Sequence, residues 1–176
     1  MKKVLLTAGI IIGVLILALA VTPAFLPASY TLKRSITIEA PAKTIYRALG
    51  DFNEFNKWQP WIRYEPTAKQ EFTGKPFTVG ARYAWTGKVI GSGSMTITAL
   101  KENEFVTTAL EFGMKKNSAA RNTISLAGEG GKTVVTWAMT GDQEYFGRYF
   151  GLMMDTMMGR DFESGLKNLK AYSEKK

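Results

Sequence analysis

The stretch Glu144–Tyr172, EYFGRYFGLMMDTMMGRDFESGLKNLKAY, carries no proline, and its large apolar residues recur at intervals of three and four. Phe146, Phe150, Met153 and Met157 form one such series, and Phe162, Leu166 and Leu169 continue it, the period of a long amphipathic helix. Gly147, Gly151, Gly159 and Gly165 each lower its intrinsic stability by up to about 1 kcal/mol relative to alanine. Packing must therefore hold the helix, and Gly159 is the expected place for a bend. Upstream, glycine-bounded runs read mostly as antiparallel strands at about Arg82–Trp85, Gly91–Lys101, Glu104–Phe112, Arg121–Ala127 and Lys132–Thr140. Lys69–Thr73 is a weaker strand signal, and Glu102-Asn103 and Gly128-Glu129-Gly130-Gly131 are tight connections.

Ahead of these strands, Leu32, Ile36 and Ile38 alternate with Lys33, Ser35, Thr37 and Glu39, broken only where Arg34 takes an apolar position. This is the period of a half-buried strand over Tyr30–Glu39. Pro41 fits the first turn of a helix reaching about Leu49, with Ala42, Ile45 and Leu49 on one face. Asp51 is placed to cap a short helix over Phe52–Asn56, which Pro60 keeps short. One strand, a small helical insertion, a run of strands and one terminal helix predict an α+β domain whose sheet buries a face against that helix.

No charged residue lies between Lys3 and Lys33, and Val4–Thr22 is almost wholly apolar. As a helix this segment rises about 28 Å, close to the roughly 30 Å of a bilayer's hydrocarbon core and longer than the usual secretory core. It predicts a single-pass anchor through residues 4–22, with Met1-Lys2-Lys3 cytoplasmic and the domain extracytoplasmic. Lys33 and Arg34 oppose that orientation, and Ala18-Leu19-Ala20 has the small-x-small form of a cleavage site, so secretion after cleavage is the competing reading. Pro23–Ser29 is a short, stiff connector. The expected organisation is an anchor with connector over residues 1–29 and a folded domain over 30–176.

The 176 residues contain no cysteine and no histidine, which removes disulfides, thiolate nucleophiles, zinc fingers and histidine-based triads from this chain alone. The formal charge of +8 suits an anionic surface or ligand. Its basic residues are scattered and accompany neither a recognition helix nor a phosphate loop, so no nucleic-acid partner is expected. Asp142 with Glu144 provides too few oxygens for a metal, and Gly87–Gly93 and Gly128–Gly131 read as hairpin turns. No metal or cofactor is expected, and the sequence leaves the oligomeric state open.

Five local patterns in this order carry a family resemblance. They are Ile36-Thr37-Ile38-Glu39-Ala40-Pro41, Asp51 through Trp61, Thr136-Trp137-Ala138-Met139, Tyr149-Phe150-Gly151-Leu152-Met153 and Phe162 through Leu169. From about Leu32 to Lys170 the chain resembles polyketide cyclase/dehydrase-like members of the SRPBCC superfamily. The resemblance implies a START-like helix-grip fold, a curved antiparallel sheet around a long C-terminal helix, with a cavity between them for apolar ligands. Only some relatives are enzymes, and the absence of histidine sets this chain apart. Carried onto this sequence, the pattern puts Tyr149, Met153 and Met157 on the helix side of the cavity, Trp137 and Phe112 on the sheet side, and Trp58 or Trp61 near its entrance.

The residues add their own reasons. Thioethers adapt to irregular apolar shapes, which suits Met153 and Met157 to a ligand wall or to plain core. Tyr83 and Trp85 share one face of their strand, while Trp137 shares a face with Val135 and Met139. Glu111, Tyr83 and Tyr149 are the weak candidates for proton transfer. Asp155 reads as an outer-face residue and Arg160-Asp161 as a surface ion pair. The expectation is a membrane-tethered module binding a small hydrophobic or amphipathic molecule. The alternatives are a cyclase/dehydratase-like enzyme and a non-catalytic envelope interaction protein with a filled core.

Overall fold

The computed structural model describes residues 2–113 and 119–175. Seven strands, β1 (Ser29–Ile38), β2 (Lys69–Thr73), β3 (Arg82–Thr86), β4 (Ser92–Lys101), β5 (Phe105–Phe112), β6 (Ala119–Glu129) and β7 (Lys132–Asp142), form one antiparallel sheet in the order β1-β7-β6-β5-β4-β3-β2. The weakly signalled strand at Lys69–Thr73 is present as the edge partner of β3. β6 and β7 meet through Gly130-Gly131, both at positive φ (56° and 84°), a two-residue turn that side chains would strain.

Among the described residues four α-helices complete the fold: α1 (Lys2–Val21), α2 (Ala42–Gly50), α3 (Phe52–Phe55) and α4 (Arg148–Ser173). Pro41 is not in the first turn of α2. It stands just outside as the N-cap, with extended backbone (ψ 147°), and its carbonyl accepts from the Thr44 and Ile45 amides. Asp51 caps α3 by accepting from the Asn53 amide at 2.8 Å. The last helix starts at Arg148, later than Glu144, because a 3-10 turn over Tyr145–Gly147 precedes it.

One face of the sheet and the C-terminal half of α4 make the core. Leu32, Val135, Trp137 and Met139 from β1 and β7 meet Phe162, Leu166 and Leu169, all nearly inaccessible to solvent. Gly165 sets the distance: a Cβ there would come within 2.6 Å of Trp137 Cζ3, so the helix approaches as closely as glycine permits. Trp137 stacks on Phe162 with centroids 4.3 Å apart, and the rings of Trp58 and Trp61 meet its edge. Arg34, the exception in the β1 alternation, spans to α4 and pairs with Asp155 (2.8 Å) and Glu163 (2.9 Å).

The N-terminal half of α4 departs from expectation. Met153 and Met157, expected to line the interior, are 53% and 57% exposed, and Phe146 and Phe150 are exposed with them. The helix is turned so that Met154 and Met158, one residue round, pack against the core. α1 buries none of its residues, and its length and apolar composition fit a membrane anchor or a signal sequence.

Candidate functional site

A cavity of about 270 Å³ lies between the middle of the sheet and α4. Strand pairing builds its floor. Tyr83, Met95 and Leu110 sit directly opposite one another on β3, β4 and β5, and Trp85, Gly93 and Phe112 form the next row. Trp137 and Met139 extend the floor on β7, and Met158, Asp161 and Phe162 form the α4 wall. The mouth is framed by Trp61 and Tyr64 from the segment after α3 and by Val89 and Ile90 from the β3–β4 loop.

Polar groups on this apolar surface are few, and most are already engaged. Trp137 Nε1 donates to Asn122 Oδ1 (2.5 Å), and Asn122 Nδ2 donates to Thr108 Oγ1 (3.3 Å). Gln59 Oε1 accepts the Trp61 and Ile62 amides (2.8 and 3.2 Å), fixing the turn that carries Trp61. Asp161 does not pair with Arg160. Its two oxygens accept from Tyr64 OH (2.6 Å) and Trp61 Nε1 (3.2 Å), tying α4 to the mouth. Neighbouring helical residues point about 100° apart, so sequence adjacency does not make an ion pair.

Glu65 holds the opposite lip. Its carboxylate accepts the backbone amides of Lys88 (2.8 Å), Val89 (2.8 Å) and Ile90 (3.1 Å), and these bonds hold it below the ordinary carboxylate range. A carboxyl group with a lowered folded value keeps such a clamp at higher pH and loses it as pH falls through that value. Glu65→Gln removes the charge, and faster hydrogen exchange at amides 88–90 is the expected result at neutral pH. Unchanged protection would show that the loop does not depend on this carboxylate.

Trp61, Tyr83, Trp85, Phe112 and Trp137 all face the cavity. Trp58 does not. It is buried behind Trp137, with its indole donating to the Ala48 carbonyl at 2.9 Å. Tyr149 also lies elsewhere, donating to the Leu19 carbonyl of α1 at 2.8 Å, and Met153 and Met157 are on the outer side of α4. Of the proton-transfer candidates, Glu111 is on the opposite sheet face, where Ser94 Oγ donates to it at 3.2 Å. Tyr83 alone is on the cavity wall, and burial pushes its hydroxyl up to about 12, further from the range of a proton-transfer group at neutral pH, which leaves it the role of a hydrogen-bond donor. Among the described residues no group of three His, Cys, Asp or Glu could hold a metal.

The sequence reading missed Met158, Asp161, Tyr64 and the Val89-Ile90 loop. Met95 and Leu110 were within its reach, since strand alternation puts both with the inward side chains of β4 and β5.

Solved structures share this architecture. A Thermobifida fusca protein matches with a TM-score of 0.66 at 17% identity, covering 82% of this chain and 93% of its own. A Mycobacterium smegmatis protein gives 0.57 at 20% identity, with 81% and 89% covered. The Aha1 dimer from Colwellia psychrerythraea gives 0.59 at 19%, with 82% and 96% covered. At such identities the likeness is one of fold. No curated protein matches the sequence significantly. The family model described as polyketide cyclase/dehydrase and lipid transport matches residues 29–174. Helix-grip architecture, cavity position and sequence match agree, and the chain belongs to the polyketide cyclase/dehydrase and lipid transport family.

Proposed function

We propose that this protein is a membrane-tethered binding module that encloses a small hydrophobic or amphipathic molecule between its sheet and α4. Residues 1–29 are the tether and connector, with Lys2 and Lys3 cytoplasmic, and residues 30–176 are the binding domain outside. The observation that carries the reading is the aromatic and thioether-lined cavity of about 270 Å³, close to the smaller end of ligand pockets. It counts against a filled core. A guest burying about 200 Å² of apolar surface there gains about 5 kcal/mol before ordering costs. Tyr83 and Asp161 are the groups on the wall with which a guest's polar end can exchange hydrogen bonds.

Native mass spectrometry of the full chain, extracted in a mild detergent, tests the proposal. A retained apolar molecule of a few hundred daltons, or saturable uptake of added decanoate, is the expected result. Protein that emerges empty and takes up no decanoate would overturn it.

A further inference from the structure

Phe146, Phe150, Leu152, Met153 and Met157 are each more than half exposed and lie within the first turns of α4 and the 3-10 turn before it. Single exposed apolar residues such as Leu152, which helix geometry turns away from the others, are ordinary, whereas several on one side mark a contact surface. Phe150, Met153 and Met157 are spaced three and four apart, so they share one side of the helix. Asp155, in the same turns, points away from that side to its pair with Arg34.

The position of this face identifies what covers it. Tyr145 and Tyr149 donate to the Ala20 and Leu19 carbonyls (both 2.8 Å), and Arg148 donates to those of Pro23 (2.8 Å) and Leu26 (3.3 Å). Leu19 and Ala20 are in the last turn of α1, where helical carbonyls lack partners within the helix. The start of α4 is therefore fastened to the end of the span. A helix of the length of α1 rises about 30 Å, which puts that end at the bilayer boundary, where tyrosine is enriched. Met157 lies about 12 Å further along α4 from Tyr149. Phe25, 83% exposed, lies in the connector between the two carbonyls that Arg148 holds.

We propose that Phe150, Met153 and Met157, with Phe146 and Phe25, rest in the interfacial layer of the bilayer that α1 crosses, so that the domain lies against the membrane instead of standing away from it. The inference rests on the reading of α1 as a retained span. The same turns of α4 then carry the bilayer contact on one side and, through Met158, the cavity wall on another.

The absence of native cysteine makes the test direct. Full-length single-cysteine variants Met153→Cys, Met157→Cys, Leu15→Cys and Thr123→Cys are labelled with a polarity-sensitive fluorophore. They are then reconstituted in phosphatidylcholine–phosphatidylglycerol vesicles with and without lipids brominated near the headgroup. The expected result is about twofold or greater quenching at 153 and 157, with little change at 123 on the far face of the sheet. Quenching at 15 with none beyond the 123 level at either methionine position would overturn the docking and leave the tether intact. No quenching at 15 would overturn both.

Discussion

Leu110→Trp is expected to reduce uptake of decanoate about tenfold or more while the domain stays folded. Leu110 is buried on β5 between Met95 and Ala120 of the neighbouring strands, and its side chain faces the cavity. In a space of about 270 Å³ one indole ring occupies volume that a guest needs. Overpacking a filled core costs about 1–3 kcal/mol, but here the larger ring enters unfilled space, so the unfolding midpoint should fall by only a few degrees. Met153→Trp is the contrast: on the exposed side of α4 it should leave uptake in detergent unchanged. Occupancy at fixed decanoate concentration, read by native mass spectrometry, separates the two variants. Equal uptake by folded Leu110→Trp and the parent would place the ligand outside this cavity.

Trp137→Ala is expected to cost about 3–5 kcal/mol of stability. The indole is 1% exposed, stacks on Phe162, meets the edges of Trp58 and Trp61 and covers Gly165 of α4. Its removal leaves a void between sheet and helix and frees Asn122 Oδ1 of its donor. Against a typical domain stability of about 5–15 kcal/mol, that is a large share. Trp137→Phe keeps a ring against Phe162 and loses the hydrogen bond, so it should fall well short of the alanine loss. Urea unfolding of the full chain in detergent, followed by circular dichroism, gives both values. Equal losses for the two variants would mean that the hydrogen bond, and not the packing, holds this layer.

The fold was readable because its signals are local. Alternation on the strands, Asp51 before a short helix, paired glycines between two strands and the period of the last helix each need only a few neighbouring residues. Alternation put Tyr83 and Trp85 on one face of β3 without saying which, and the register with β4 and β5 turns that face to the cavity. The site was not readable on α4, where two apolar series one residue apart, Met153-Met157 and Met154-Met158, differ by about 100° around the axis and both look like core. The exposed and core-facing sides of α4 draw on the same residue types, so composition cannot separate them. Asp161 was misassigned because its partners lie on the segment after α3, and Glu65 gave no signal because its three donors come from residues 88–90.

The pairing of β1 with β7, from Ser29 opposite Asp142 to Ile38 opposite Thr133, constrains the order in which the chain can complete itself. β1 leaves the ribosome directly behind α1, yet the strand that satisfies its backbone is made about a hundred residues later. Until then it has no sheet partner and keeps its amides and carbonyls open, a state that favours adhesion to other chains. Such long-range closure slows folding, and a chain ending before β7 leaves the first strand without its sheet neighbour among the described residues. Synthesis must therefore have passed β7 before this domain can shut.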